Sequence, residues 1–236
     1  MAIKEAIILA GGLGTRLRES VPDLPKCLAP VAGKPFLHYV IDHFKKQGIG
    51  KFIFATGYKS EMIETYLKSL SKDISWELSV ERTPLGTGGA IKLACSRIRD
   101  QSALVLNGDT FFGIDLGKLS AFHGESAADC TLSLKPMRDF DRYGAVALNS
   151  DGSIKSFFEK KFYQNGLING GIYALRVDAF LKEVFPAAFS FEKDYLEQFF
   201  NKRRIFGLVQ DQYFIDIGIP ADYDRAQAEW KQLIHN

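Results

Sequence analysis

Apolar residues in this chain fall in short runs ended by glycine or polar turns, and strand-like and helix-like runs alternate through its first half. Ile3 to Ala10 is a mainly apolar run closed by glycine, which suits a buried parallel strand. Phe36, Tyr39, Val40 and Phe44 recur at helical spacing, so a helix is expected over 35–47, with Pro35 at its first position and Gly48 as its stop. Lys51 to Thr56 reads as the next strand, and Ser60 as the cap of a helix over 61–70. A strand near 75–81, a glycine-rich loop and a helix near 88–98 follow, and then the strand Ala103 to Leu106, ending in Asn107-Gly108-Asp109. Repeated strand–helix alternation predicts an α/β fold: a three-layer, Rossmann-like, mostly parallel sheet covered on both faces.

The second half changes period. Thr131 to Leu134, Gly144 to Leu148, Ser153 to Phe158 and Leu167 to Leu175 are strand candidates with short connections, and Asp151-Gly152 marks a hairpin turn. Helices are expected near 177–184 and 192–200, a strand pair over 204–217, and a final helix over 220–233 that begins with Pro220. No linker or composition break appears. The expectation is a single domain, 1–236, whose second half (126–236) adds a small antiparallel lobe to the first (1–125).

Composition narrows the functional classes. Of 236 residues, 46% are hydrophobic and 25% charged, which excludes a disordered chain. Thirty Lys and Arg against 28 Asp and Glu leave a net charge of +2, too balanced for nucleic-acid binding by bulk electrostatics. The apolar run Ala6 to Ala10 is too short for a signal-peptide core or a membrane span, so a soluble, cytoplasmic protein with no membrane partner is expected. Cys27, Cys95 and Cys130 are scattered, which favours a reducing compartment and argues against structural zinc. His38, His43, His123 and His235 show no ligand spacing and receive no catalytic role. The aromatic residues are spread through strands and helices and read as core; this richness permits a homo-oligomer without establishing one.

The sharpest chemical feature is Leu9-Ala10-Gly11-Gly12-Leu13-Gly14-Thr15-Arg16-Leu17, directly after the first strand. Its glycines let backbone N–H groups approach an anion, and Arg16 adds a fork suited to phosphate oxygens. Open α/β sheets bind ligands beyond the carboxyl ends of their strands, which is where this loop lies. A tight strand–helix turn with an incidental arginine is the simpler alternative. The dinucleotide fingerprint fails, because Leu17 stands at its third glycine, and a P-loop fails, because Gly33-Lys34 runs into Pro35. Pro25-Lys26 follows in a loop from which a lysine can fold back over phosphates. Asp109 and Asp216 each end a strand-like run, where a carboxylate can hold Mg²⁺ or simply form a turn.

The glycine string followed by Pro-Lys resembles the nucleotidyltransferases that join a nucleoside triphosphate to a sugar 1-phosphate. The resemblance continues in order through Glu81 to Ala90, Asn107-Gly108-Asp109, Tyr143 to Val146, Phe158-Glu159-Lys160, Asn169 to Tyr173 and Ile215 to Gly218, spanning nearly the whole chain. It implies the nucleotide-diphospho-sugar transferase type of fold, with 1–125 as the nucleotide half and 126–236 as the sugar-phosphate half. It implies nucleotide contacts at Leu9, Ala10, Gly11, Gly12, Gly14, Thr15, Arg16, Lys26, Glu81, Pro84, Gly86 and Thr87. It places sugar-phosphate contacts at Gly144, Glu159, Lys160, Asn169 and Gly171, and Mg²⁺ on Asp109 and Asp216, with Arg16, Lys26, Asp109 and Lys160 as the catalytic set. On residue type alone Lys161 serves as well as Lys160; the resemblance selects Lys160. Ser190-Phe191-Glu192-Lys193-Asp194 reads as a capped helix start in preference to a sugar contact.

Glu81 can accept from the paired donors of guanine, and the loop Glu81 to Ala90 resembles the guanylyltransferase branch, so GTP is the expected donor. Gly166 to Tyr173 and Ser190 to Asp194 most resemble enzymes acting on D-glycero-α-D-manno-heptose 1-phosphate for surface glycans. Mannose 1-phosphate with GTP, or UTP with an amino-sugar or muramate 1-phosphate, are the alternatives within the family. A catalytically silent sugar-nucleotide-binding subunit is the alternative of another class, opposed by the full charged set.

Overall fold

The computed structural model of the chain describes residues 2–12, 17, 21–70 and 74–235. Strand β1 (Glu5–Leu9) is followed by a 3-10 turn (Lys26–Leu28) and a small ribbon of β2 (Pro30–Val31) and β3 (Lys34–Pro35). Helix α1 (Phe36–Lys46), β4 (Lys51–Thr56), α2 (Ser60–Ser69), β5 (Ser75–Val80), α3 (Gly86–Cys95) and β6 (Ser102–Asn107) then alternate. β7 (Thr110–Phe112) and α4 (Leu116–Glu125) lead to β8 (Cys130–Phe140), β9 (Ala145–Leu148), β10 (Ile154–Phe157) and β11 (Tyr163–Arg176). After α5 (Val177–Leu181), a π-helical turn (Phe191–Leu196) runs into α6 (Glu197–Phe199); β12 (Ile205–Val209), β13 (Phe214–Asp216) and α7 (Pro220–His235) follow.

Among the described residues nine strands make one sheet, with the path β10-β9-β11-β6-β1-β4-β5. β1 lies parallel between β4 and β6, and β4 lies parallel to β5. β11 brings in the second half, antiparallel to β6 from Ile172↔Leu106 to Arg176↔Ser102. It also pairs with β8 and β9, so one long strand carries the antiparallel lobe. Successive strand side chains point to opposite faces, which divides the core in two. Ile8, Phe52, Phe54, Leu104 and Leu106 pack toward α1 and α7, while Ile7, Ile53 and Val105 pack toward α3 and the 177–196 segment. Burial on both faces is why these strands read as nearly continuous apolar runs.

Helix α1 buries Phe36, Leu37, Val40, Ile41 and Phe44 on one face and stops as expected. Gly48 adopts φ +99°, and Ile49 N–H reaches back to Phe44 O at 3.0 Å, so the glycine supplies the left-handed residue of the cap. Pro35 sits one residue before the helix because it also ends β3, opposite Pro30. Ser60 is not the cap of α2. Lys59 takes the left-handed conformation there, and Ser60 Oγ lies 3.1 Å from Thr56 Oγ1. The strand pair expected over 204–217 separates: β12 runs parallel to β8, and β13 pairs with β7. Gln210 N–H still bonds Leu134 O at 2.9 Å, so the backbone continues along β8 instead of turning into a hairpin. No helix among the described residues is long and apolar enough to cross a membrane.

Candidate active site

β1, β4 and β6 end side by side at Leu9, Thr56 and Asn107, and the crevice beyond them holds a cavity of about 430 Å³. Leu9, Gly11, Gly12, Glu81, Pro84, Gly86 and Thr87 line it, together with Gly57, Tyr58, Arg82, Thr83 and Ala90. Ala10 lies behind this wall, its N–H bonded to Ala55 O at 2.8 Å. Gly14, Thr15 and Arg16 lie outside the described residues. Two glycines are needed for close approach. A Cβ on Gly57 would come within 2.8 Å of Glu81 Oε1, and Gly86 has φ +68° with its Cβ position 2.5 Å from Phe189 O. Glu81 is partly committed: its Oε2 accepts from Leu85 N–H at 3.0 Å. That bond pins Glu81 to the loop and takes one acceptor site of Oε2. Thr87 Oγ1 accepts from Phe191 N–H at 2.9 Å, tying the loop to the second half.

Next to this cavity, Lys26, Asp109 and Asp216 converge. Gly108 N–H bonds Leu9 O at 2.9 Å, which fixes the turn after β6 against the end of β1. Asp109 O accepts from Ile217 N–H at 3.0 Å, which docks the end of β13 beside it. Lys26 Nζ lies 2.5 Å from Asp109 Oδ2 and 3.9 Å from Asp216 Oδ1. Asp216 Oδ1 also accepts from Gly218 N–H at 2.7 Å. Burial, and then the negative charge of Asp109, push the Asp216 carboxyl above the usual range; Lys26 opposes this. The two carboxylates thus face one point and carry more negative charge than one ammonium relieves. That donor set fits a Mg²⁺ ion, which takes one or two carboxylates and completes its shell with phosphate oxygens and water. No group of three or more His, Cys, Asp or Glu that could hold a metal occurs among the described residues, so phosphate would have to complete the set.

A second cavity, of about 480 Å³, opens on the antiparallel lobe. Gly144, Glu159, Lys160 and Asn169 line it, with Tyr143, Glu192, Lys193 and Glu197. Gly144 is constrained by the chain itself, since a Cβ there would come 2.5 Å from Phe158 O. Gly171 is not part of this wall. It is buried at φ +71° against Asn107, whose Nδ2 is 2.5 Å from its Cβ position, where β11 slips register between Asn169 and Tyr173. Tyr143 links the two regions: burial and then the Asp216 charge push its hydroxyl up to about 12. Asn169 Nδ2 donates to Tyr173 Oη at 2.8 Å and to Glu192 Oε1 at 3.1 Å. Ser190 caps the following turn as expected, accepting from Lys193 N–H at 3.2 Å, but the turn is π-helical. Glu192 and Lys193 belong to the segment read as a helix start in preference to a sugar contact, and they face the cavity as well; Glu197, one helical turn on, was not among the expected site residues.

An open α/β sheet with a glycine-walled cavity, an acidic pair and a second polar cavity defines a nucleotide-binding transferase architecture. The chain belongs to the nucleotidyl transferase family, whose model matches residues 5–232. It is 48% identical to a D-glycero-α-D-manno-heptose 1-phosphate guanylyltransferase of Aneurinibacillus thermoaerophilus, over 98% of this chain and 100% of that protein. It is 47% identical to the protein of the same name from Campylobacter jejuni subsp. jejuni, over 93% of this chain and 96% of the relative. The crystal structure of HddC from Yersinia pseudotuberculosis complexed with GMP-PN superposes with a TM-score of 0.85 at 35% identity, covering 97% of this chain and 100% of that one.

Proposed function

We propose that this protein transfers GMP from GTP to D-glycero-α-D-manno-heptose 1-phosphate, giving GDP-heptose and pyrophosphate for surface glycan synthesis. The observation that supports the reading is the convergence of Lys26 with Asp109 and Asp216 beside the nucleotide-side cavity. Leu9 of the nucleotide-side wall is bonded to Gly108, and Tyr143 of the other wall feels the Asp216 charge. Two relatives of nearly the same length and about half identical in sequence carry the name of this activity.

In the reaction, an oxygen of the sugar 1-phosphate attacks the α-phosphorus in line. The new P–O bond forms as the bond to the β-phosphate oxygen breaks, and pyrophosphate leaves. The nucleophile is already an anion at neutral pH, so no general base is required; the catalytic work is positioning and charge neutralisation. The loop after β1, with Arg16, holds the triphosphate. Pro84, Gly86 and Thr87 shape the base side, and the remaining oxygen of Glu81 together with loop backbone groups reads the guanine. Asp109 and Asp216 would hold Mg²⁺, which supplies charge neutralisation to the phosphates when bound. Lys26, released from its carboxylates as the triphosphate enters, turns its ammonium toward the α-phosphate. Lys160 draws in the sugar phosphate, and Glu159 accepts from sugar hydroxyls. Cytoplasmic residence is supported by three buried cysteines that form no disulfide.

The test is pyrophosphate release by the purified protein across four nucleoside triphosphates and several sugar 1-phosphates with Mg²⁺. Release confined to GTP with the manno-heptose 1-phosphate is expected. GTP with mannose 1-phosphate would overturn the sugar, UTP with an amino sugar would overturn both substrates, and silence in every combination would overturn the enzyme.

A further inference from the structure

Asn169 is the residue expected to contact the sugar, yet its amide donors are committed within the protein. An amide nitrogen has two hydrogens, and Asn169 Nδ2 directs them to Tyr173 Oη and Glu192 Oε1. Its Oδ1 accepts from Gly171 N–H at 3.1 Å. Tyr173 is 2% exposed, and its hydroxyl donates to the same Glu192 Oε1 at 3.1 Å. Two donors therefore hold one oxygen of Glu192. The other, Oε2, takes no hydrogen bond from the described residues, and Glu192 forms part of the cavity wall with Glu159 and Lys160.

The backbone around Glu192 is held equally firmly. Phe191 N–H donates to Thr87 Oγ1, and Phe189 exchanges two bonds of 2.9 Å with the nucleotide-side loop, its N–H to Leu85 O and its O from Gly88 N–H. Glu192 itself sits in a π-helical turn, a form that recurs at functional sites. One turn further along the same segment, burial and the charges of Glu159 and Glu192 push Glu197 above the usual carboxylate range. The wall is rich in acceptors, and a sugar ring presents hydroxyl donors.

We infer that Glu192 is a specificity-determining residue: its Oε2 accepts a hydrogen bond from a ring hydroxyl of the sugar 1-phosphate, while Asn169 and Tyr173 act as positioning residues that hold Oε1. This rests on the function proposed above and adds a residue to it. Glu192→Gln keeps an oxygen for Asn169 and Tyr173 but replaces the free acceptor by a donor.

The experiment compares wild type and Glu192→Gln by steady-state kinetics with the heptose 1-phosphate, or with mannose 1-phosphate if wild type turns over only that. Mono-deoxyfluoro analogues of mannose 1-phosphate, each lacking one hydroxyl donor, are run beside it. The KM for the sugar 1-phosphate is expected to rise at least tenfold with the GTP KM within twofold, and the penalty is expected to vanish on one fluoro analogue. An unchanged sugar KM, an equal loss on GTP, or the same penalty on every analogue would overturn the inference, since a purely structural Glu192 predicts those results. Tyr173→Phe, which removes the bond to Glu192 Oε1 and the acceptor for one Asn169 hydrogen but no charge, should raise the same KM by a smaller factor; no rise would overturn the positioning role. Wild type turning over no sugar 1-phosphate would overturn the proposed function first, and this inference with it. Activity in wild type with no wild-type–variant difference would overturn only the inference.

Discussion

Lys26→Met removes the one ammonium within ion-pair distance of both Asp109 and Asp216 among the described residues. At an effective dielectric of about 20, the contact at 2.5 Å corresponds to roughly 6.6 kcal/mol and that at 3.9 Å to roughly 4.3 kcal/mol. The variant also avoids burying the ammonium, which offsets much of this. Breaking a buried pair from one side costs about 3–5 kcal/mol, and Asp109, with 32% of its side chain exposed, places this case toward the lower end. In a chain of this size each kcal/mol shifts Tm by about 2–4 °C, so a fall of roughly 6–12 °C is expected for about 3 kcal/mol. Asp216 already has a raised pKa, so its protonated form is favoured by the fold, and it destabilises progressively as pH rises through that folded value. The deficit of Lys26→Met should therefore be largest near pH 7–8, shrink as pH falls toward the ordinary carboxylate range, and shrink again with millimolar Mg²⁺. Thermal melts by circular dichroism at several pH values, with and without MgCl₂, measure all three. A variant melting within 2 °C of wild type at pH 7.5 without metal would refute the counter-ion role.

Asp216→Asn keeps the acceptor for Gly218 N–H and removes a charge the fold disfavours, so the metal-free protein should melt higher at pH 7.5 while pyrophosphate release falls at least a hundredfold; a lower Tm contradicts the sign. Gly86→Ala meets Phe189 O and a positive φ, so a stability loss of about 1–3 kcal/mol with weakened GTP binding is expected in urea melts and nucleotide titration. Lys160→Ala, at an exposed wall of the second cavity, should raise the sugar 1-phosphate KM at least tenfold and leave Tm within 1 °C; a matching rise in the GTP KM would place the lysine elsewhere.

Much of this architecture is a local property of the chain. Apolar runs such as Ala6 to Leu9 and Ala103 to Leu106 mark strands buried on both faces, and the spacing of Phe36, Val40 and Phe44 marks a helix. Gly48 and the Asp151-Gly152 turn record backbone conformations that glycine adopts without strain, and both appear with positive φ at the glycine. Strand ends place Asp109 and Asp216, and the glycine loop places the crevice, because ligand sites in open sheets follow strand polarity. What a residue does with its hydrogen bonds is not local. β12 and β13 are near neighbours in sequence, yet their partners lie in β8 and β7, chosen by long-range packing. Lys26 meets Asp109 across 83 residues, Thr87 meets Phe191 across 104, and Asn169 meets Glu192 across 23. A sequence pattern names the donors and acceptors; only the folded chain decides which are already paired and which, like Glu192 Oε2 among the described residues, are not.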